Sequence, residues 1–176
     1  LQDFYEYDPL TNTWAAKANF GGGQRQQAAS FSVSGLGYIS CGKDASFNYM
    51  YDTWEYNPTT NSWSAKANLP ISIGFQTISF AFNSLGYLGL SNSSGTTTSI
   101  YRYNPSSNSW SLASTYPQAG YPSFATVTPT KVYIGLGVES SNPVIYWHEY
   151  NPTGNVWTAK KSFIGERDNG QGGFSI

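Results

Sequence analysis

The stretch EYNPTTNSW, Glu55 to Trp63, returns as EYDPLTNTW at Glu6 to Trp14, RYNPSSNSW at Arg102 to Trp110 and EYNPTGNVW at Glu149 to Trp157. Trp14, Trp63, Trp110 and Trp157 are separated by 49, 47 and 47 residues, and Tyr7, Tyr56, Tyr103 and Tyr150 keep the same intervals. The phrase reads as a reversal between two strands. Pro9, Pro58, Pro105 and Pro152 fix φ at about −65° and remove a backbone donor, which suits the second position of a turn. Asn12, Asn61, Asn108 and Asn155 tolerate the left-handed conformation that closes it. The Tyr before each turn and the Trp after it then lie on neighbouring strands, where they pack as a cross-strand pair and fill the wedge between repeats. The phrase is therefore scaffold.

Outward from each phrase the same order of segments recurs. QQAASFSV (26–33) is a small and apolar strand, LGYISCG (36–42) a second strand with glycines at its ends, YDTWEYNP (51–58) an alternating third and NSWSAKAN (61–68) a fourth. The order repeats in QTISFAF, LGYLGL, IYRYNP and NSWSLAS, and again in PSFATVT, KVYIGLG, WHEYNP and NVWTAK. A fixed period of about 50 residues with four strands per unit is the signature of a propeller blade.

Composition agrees. Of 176 residues, 17% are aromatic and 11% charged, with a formal net charge of −1. That balance lacks the basic stripe that nucleic acid binding requires. No apolar run approaches the ~20 residues of a membrane-spanning helix, and the chain opens within a repeat rather than on a signal segment. Cys41 is the only cysteine, which excludes an internal disulfide and a cysteine-rich zinc site and reads as a small buried residue on a strand.

These residues resemble the kelch repeat family: an apolar first strand, a GYI-like second strand ending in glycine, an aromatic third strand closing in Tyr-Asn/Asp-Pro, and a Trp seven residues past that Tyr. The likeness covers essentially the whole chain, and WEYNPTTNSWSAKANLP with GYISCG is most similar to secreted kelch proteins of bacteria, galactose-oxidase-like by fold. The resemblance implies an all-β kelch-type β-propeller of four-stranded antiparallel blades with the first strand innermost. One departure is visible, since the family's paired glycines after the second strand are reduced to CGK at Cys41 to Lys43, LGL at Leu88 to Leu90 and GLG at Gly135 to Gly137.

The units divide as 1–20, the outer strands of a blade; 21–68, 69–115 and 116–162, three whole blades; and 163–176, the inner strand of a further blade. Such an arc is an incomplete ring with raw edges. The expectation is that further blades of the same longer chain, or less favourably a second copy, supply strands beside residues 1–7 and 168–176.

A residue that recurs in every unit reads as structural, and one unique to a unit is free for function. Glu6, Glu55 and Glu149 share a slot that Arg102 takes in the third unit, and they read as solvated strand charges rather than a glycosidase pair. His148, the only histidine, holds the place of Tyr5, Trp54 and Tyr101 and reads as a packing variant. One histidine also falls short of the two that galactose oxidase's copper requires. Neither metal nor cofactor is expected.

Arg25 and Arg167 stand at the start of first strands where the other units have Gly74 and Gly120. With the innermost first strand that the resemblance implies, they either face the channel mouth and hold a carboxylate or sulfate in fork geometry, or pack over neighbouring aromatic rings. The loops KDASFNYMYD, SNSSGTTTS and VESSNPVIY vary most, as recognition loops on a rigid scaffold do. Lys43, Asp44, Phe47, Tyr49 and Tyr51 make the first of these an aromatic-rich tip suited to sugar stacking, protein contact or plain loop packing. Asn92-Ser93-Ser94 matches a glycosylation acceptor.

The functional expectation is a non-catalytic binding or structural module, secreted or at the cell surface, presenting variable loops to a protein or glycan partner. The alternative is a carbohydrate-active enzyme of the sugar-oxidase or sialic-acid-epimerase type.

Overall fold

The computed structural model describes residues 2–71, 77–89, 92–93, 95–96, 98–118, 121–139, 142–162 and 164. Among them the chain is all strand and turn, with no helix long and apolar enough to cross a membrane. In chain order the strands are β1 (Phe4–Asp8), β2 (Thr13–Lys17), β3 (Ala29–Val33), β4 (Leu36–Ser40), β5 (Thr53–Asn57), β6 (Ser62–Lys66), β7 (Ile78–Phe82), β8 (Leu85–Gly89), β9 (Asn92–Ser93), β10 (Gly95–Thr96), β11 (Ser99–Asn104), β12 (Ser109–Thr115), β13 (Tyr121–Val127), β14 (Val132–Glu139), β15 (Asn142–Asn151) and β16 (Val156–Ala159).

Three antiparallel sheets of four result, β3-β4-β5-β6, β7-β8-β11-β12 and β13-β14-β15-β16, beside the two-stranded β1-β2 and the short β9-β10 hairpin. Each four-stranded sheet is a meander, so local turns set its register. Ser34 and Gly35 join β3 to β4 with φ of 52° and 80°, and Asn83 and Ser84 join β7 to β8 with 49° and 59°. Positive φ at both central residues gives the turn whose twist matches the strands it connects. The first strands converge, β3 beside β7 and β7 beside β13, as innermost strands of successive blades must.

The repeated phrase forms the β1-β2, β5-β6, β11-β12 and β15-β16 reversals. Asn12, Asn61, Asn108 and Asn155 adopt φ of 55°, 48°, 46° and 50°. Each also accepts a bond at Oδ1 from the Tyr hydroxyl five residues earlier, at 2.9, 2.9, 2.8 and 3.3 Å from Tyr7, Tyr56, Tyr103 and Tyr150. The residue before each proline contributes as well. Asp8, Asn57, Asn104 and Asn151 take a backbone N–H two residues on, an Asx turn beyond the proline and the left-handed asparagine that the sequence pointed to. Each Tyr faces its Trp directly in register, with ring centroids 5.0, 5.0, 5.0 and 4.3 Å apart.

The same phrase latches one blade to the preceding one. Trp63 Nε1 donates to the Ala18 carbonyl and Trp110 Nε1 to that of Ala67, both at 3.0 Å, while Asn61 and Asn108 accept the N–H of those same alanines at 2.8 Å. Trp157 instead donates to Ser114 Oγ at 2.8 Å. The core consequently sits between blades. One cluster joins Ala29, Phe31, Val33 and Tyr38 to Leu88 and Tyr103, and a second joins Ile78, Phe80, Phe82 and Tyr87 to Val132, Ile134 and Tyr150.

Two readings need correction. VESSNPVIY is largely strand, because β14 runs on to Glu139 and β15 begins at Asn142. Cys41 is fully buried as expected but lies just past β4, at φ 62°, where burial pushes its thiol pKa up to about 11.

Candidate functional site

The start of the first complete blade gathers four of the residues singled out in sequence. Arg25, Lys43, Asp44 and Phe47 line one open cavity of about 290 Å³ together with Gln24, Gln26 and Ala45. Paired backbone bonds of Gln26 with Lys43, at 2.9 and 3.0 Å, bring the segment before β3 against the segment after β4.

Asp44 organises the loop. Its Oδ1 accepts the N–H groups of Ser46 and Asn48, both at 2.8 Å, and its Oδ2 accepts Asn48 Nδ2 at 2.9 Å. These bonds hold the carboxyl below its ordinary range and leave Phe47 in the left-handed region, at φ 65°, with 68% of its surface exposed. A bulky side chain at positive φ is rare and persists only where surrounding bonds determine it. Tyr49 stands beside Lys43, whose Nζ is 5.3 Å from its ring centroid. Tyr51 is not among the cavity-lining residues. Its side chain is half exposed, and its carbonyl accepts the N–H of Leu69 at 2.8 Å.

Arg25 does not offer an empty fork. Nη1 donates to Asp52 Oδ1 at 2.9 Å and Nη2 to Asp52 Oδ2 at 2.7 Å, with further bonds to the carbonyls of Cys41 and Gly22. Its guanidinium lies 4.7 Å from the Phe20 ring centroid, and its side chain is 4% exposed. This is the packed arrangement, with an acid from the same chain where a ligand carboxylate was envisaged. Nε is buried and has no partner among the described residues. Burial pushes the Asp52 carboxyl pKa up, but the bonds from Arg25 and from Trp54 Nε1 at 2.7 Å outweigh it and hold the pKa below the ordinary value. Arg167 lies outside the described residues.

Sequence reading missed Asp52, although a signal existed. Where the arginine slot holds Gly74 or Gly120, the place of Asp52 is taken by Ser99 or Tyr146. The repeated glutamates also have partners: Lys17 lies 3.1 Å from Glu6, Lys66 2.9 Å from Glu55, and Lys131 and Lys160 2.9 and 2.7 Å from Glu149. Among the described residues, no group of three His, Cys, Asp or Glu is placed to hold a metal ion. Asn92 and Ser93 form β9, and Ser94 lies outside the described residues.

His148 is buried, its Nδ1 3.0 Å from the Tyr116 hydroxyl, and burial lowers its pKa from the ordinary 6.5. A lowered folded pKa means the neutral ring stabilises the fold above about pH 6.5, and that stability is lost as pH falls through the folded value. Denaturant midpoints are expected to fall from pH 7 to pH 5, and less so in His148→Tyr, which restores the aromatic of the other units. An equal acid loss in both proteins would remove His148 from this account.

No protein-family model matches the chain, and no curated protein matches it in sequence. The solved structure of YjhT, a kelch-repeat propeller, superposes with a TM-score of 0.78 at 20% identity, covering 94% of this chain and 60% of that one. The fold is a kelch-type β-propeller. The chain spans less than two thirds of YjhT's length, and its three four-stranded sheets with the two-stranded β1-β2 match part of that propeller.

Proposed function

We propose that this kelch propeller segment is a non-catalytic binding module of a secreted or surface protein, and that the Asp44 to Tyr49 loop with its adjoining cavity receives a glycan. The carrying observation is Phe47, an exposed ring held outward at φ 65° by a loop whose only carboxylate is committed to fixing it. An aromatic immobilised before binding loses little entropy on contact. Flat rings beside amides such as those of Gln24 and Gln26 suit the apolar face and hydroxyls of a sugar. Of the charged residues lining the cavity, the Arg25 guanidinium and the Asp44 carboxylate are both bonded within the chain, which favours binding over turnover.

A glycan screen followed by titration tests this. Binding is expected without turnover, and Phe47→Ala should weaken it about tenfold, or ~1.4 kcal/mol. Chemical conversion of a bound sugar, or affinity unchanged in Phe47→Ala, would overturn the reading.

A further inference from the structure

Just past β2, β6 and β12 the chain places one large side chain over the next blade. Phe20, Leu69 and Tyr116 hold this position, spaced as the repeated tryptophans are. Their backbones are anchored alike, the N–H groups donating to the carbonyls of Gln2, Tyr51 and Thr98 at 2.8, 2.8 and 2.7 Å. What lies opposite in the next blade is the residue two before the repeated Tyr: Trp54, Tyr101 and His148. Phe20 meets Trp54 and Trp63 edge-on, with ring centroids 6.0 and 4.8 Å apart. Leu69 is buried in the cluster against which Tyr101 packs. Tyr116 meets His148 and Trp157 edge-on in the same way, at 5.1 and 5.2 Å, but here a hydroxyl and a ring nitrogen face each other inside the packing, 3.0 Å apart. Both side chains are buried. The only histidine of the chain thus stands opposite the tyrosine of this series, a polar pair where the other junctions are closed by apolar contact.

This junction is also fastened differently at its turn. Asn61 and Asn108 accept backbone N–H groups of the preceding blade, from Ala18 and Ala67, and the neighbouring tryptophans bond the carbonyls of those alanines. Ser114 holds the place of the alanines, but a bulge in β11-β12 puts it in register with Ile100. Trp157 takes its hydroxyl instead, and among the described residues Asn155 accepts only from Tyr150, at 3.3 Å. A neutral His148 ring accepts the Tyr116 hydroxyl at Nδ1. A protonated ring cannot, and it places a charge where water scarcely reaches. No opposite charge faces it among the described residues. Tyr116 comes from the third blade, Ile134 of β14 and Ala159 of β16 stand in register with His148, and Trp157 closes the remaining side. Glu149 points to the other face of β15, where Lys131 and Lys160 hold it, and Arg102 on β11 donates to Ser111.

We infer that the junction between the β7-β8-β11-β12 and β13-β14-β15-β16 sheets is an acid-operated seam, in which protonation of His148 releases Tyr116 while the junctions closed by Phe20 and Leu69 stay shut. The opening is local because this junction lacks the asparagine latch to the preceding backbone and alone contains an imidazole. Burial lowers the His148 pKa from 6.5, so the neutral ring favours the closed seam above about pH 6.5, and that preference is lost as pH falls through the lower folded value. A ring that ordinarily titrates at about 6.5 multiplies opening by at most about tenfold at pH 5.5.

Amide hydrogen exchange on the intact 176-residue protein tests this, with the equivalent amides of Phe20 and Leu69 as internal controls. Corrected for the intrinsic pH dependence of exchange, protection at the Tyr116 N–H is expected to fall severalfold between pH 7.5 and pH 5.5, while protection at Phe20 and Leu69 changes by less than about twofold. The ring protons of the single histidine should titrate below pH 6.5 in the folded protein. Tyr116→Phe combined with His148→Trp, which copies the Phe20 and Trp54 junction, should remove the pH dependence at residue 116. A Tyr116 amide as steady as the other two, an equal fall at all three, a histidine titrating at or above pH 6.5, or pH dependence that survives in the double variant would overturn the inference.

Discussion

Gly86→Ala is expected to destabilise the protein by about 2–3 kcal/mol, while Gly37→Ala leaves stability unchanged or raises it by up to about 1 kcal/mol. The two glycines hold the same place in successive LGY strands. At residue 86 a single Cβ would lie 2.1, 2.4 and 2.5 Å from three atoms of the Phe31 ring. That ring is stacked on Tyr38 at 5.1 Å and meets the edge of Trp110 at 6.3 Å, so two aromatic neighbours limit where it can move. Close-packed cores answer such an insertion with off-rotamer side chains or backbone shifts. Among the described residues no ring lies on residue 37, and alanine there restricts the unfolded chain. Urea denaturation of the two variants checks the contrast. Equal midpoints would mean that the first two complete blades do not meet through Phe31 and Gly86.

Arg25→Ala should cost about 3 kcal/mol, near the lower end for removing one partner of a buried ion pair, since Asp52 keeps a quarter of its side-chain surface in water. Five contacts go at once: two bonds to Asp52, those to the Cys41 and Gly22 carbonyls, and the Phe20 ring. The pair also has an acid signature. The Asp52 pKa is held below its ordinary 3.8, so its stabilisation is present above about pH 4 and lost as pH falls through the lower folded value. Arg25→Ala should remove that part of the acid sensitivity, leaving a flatter stability profile below pH 4. A variant of wild-type stability with intact acid dependence would mean the fork is not closed by Asp52 in solution.

The reversals were legible in sequence because their determinants are local. Proline, the left-handed asparagine and the tyrosine hydroxyl that bonds it lie within six residues of one another, and the turn fixes which Tyr meets which Trp. The candidate site was legible in part. An aromatic-rich, unrepeated loop after β4 stood out against the periodic background, but the work of Asp44 did not. Its bonds to Ser46 and Asn48 depend on a backbone path that composition leaves open.

By itself, then, the sequence determined the blade: its period, its four strands, its turns and its cross-strand aromatic pairs, all set by short-range sterics and hydrogen bonding. Tertiary structure alone decided what each repeated position does. Trp63 and Trp14 are spelled alike, yet Trp63 bonds the Ala18 carbonyl of the preceding unit while Trp14 is 69% exposed. Gly86 and Gly37 are spelled alike, yet only Gly86 lies under a ring. Arg25 closes on an aspartate 27 residues away, which turns a candidate ligand fork into a strut. The physical reason is common to all three: burial and pairing belong to the neighbouring blade or strand, so the same residue in the same slot of the repeat meets different neighbours.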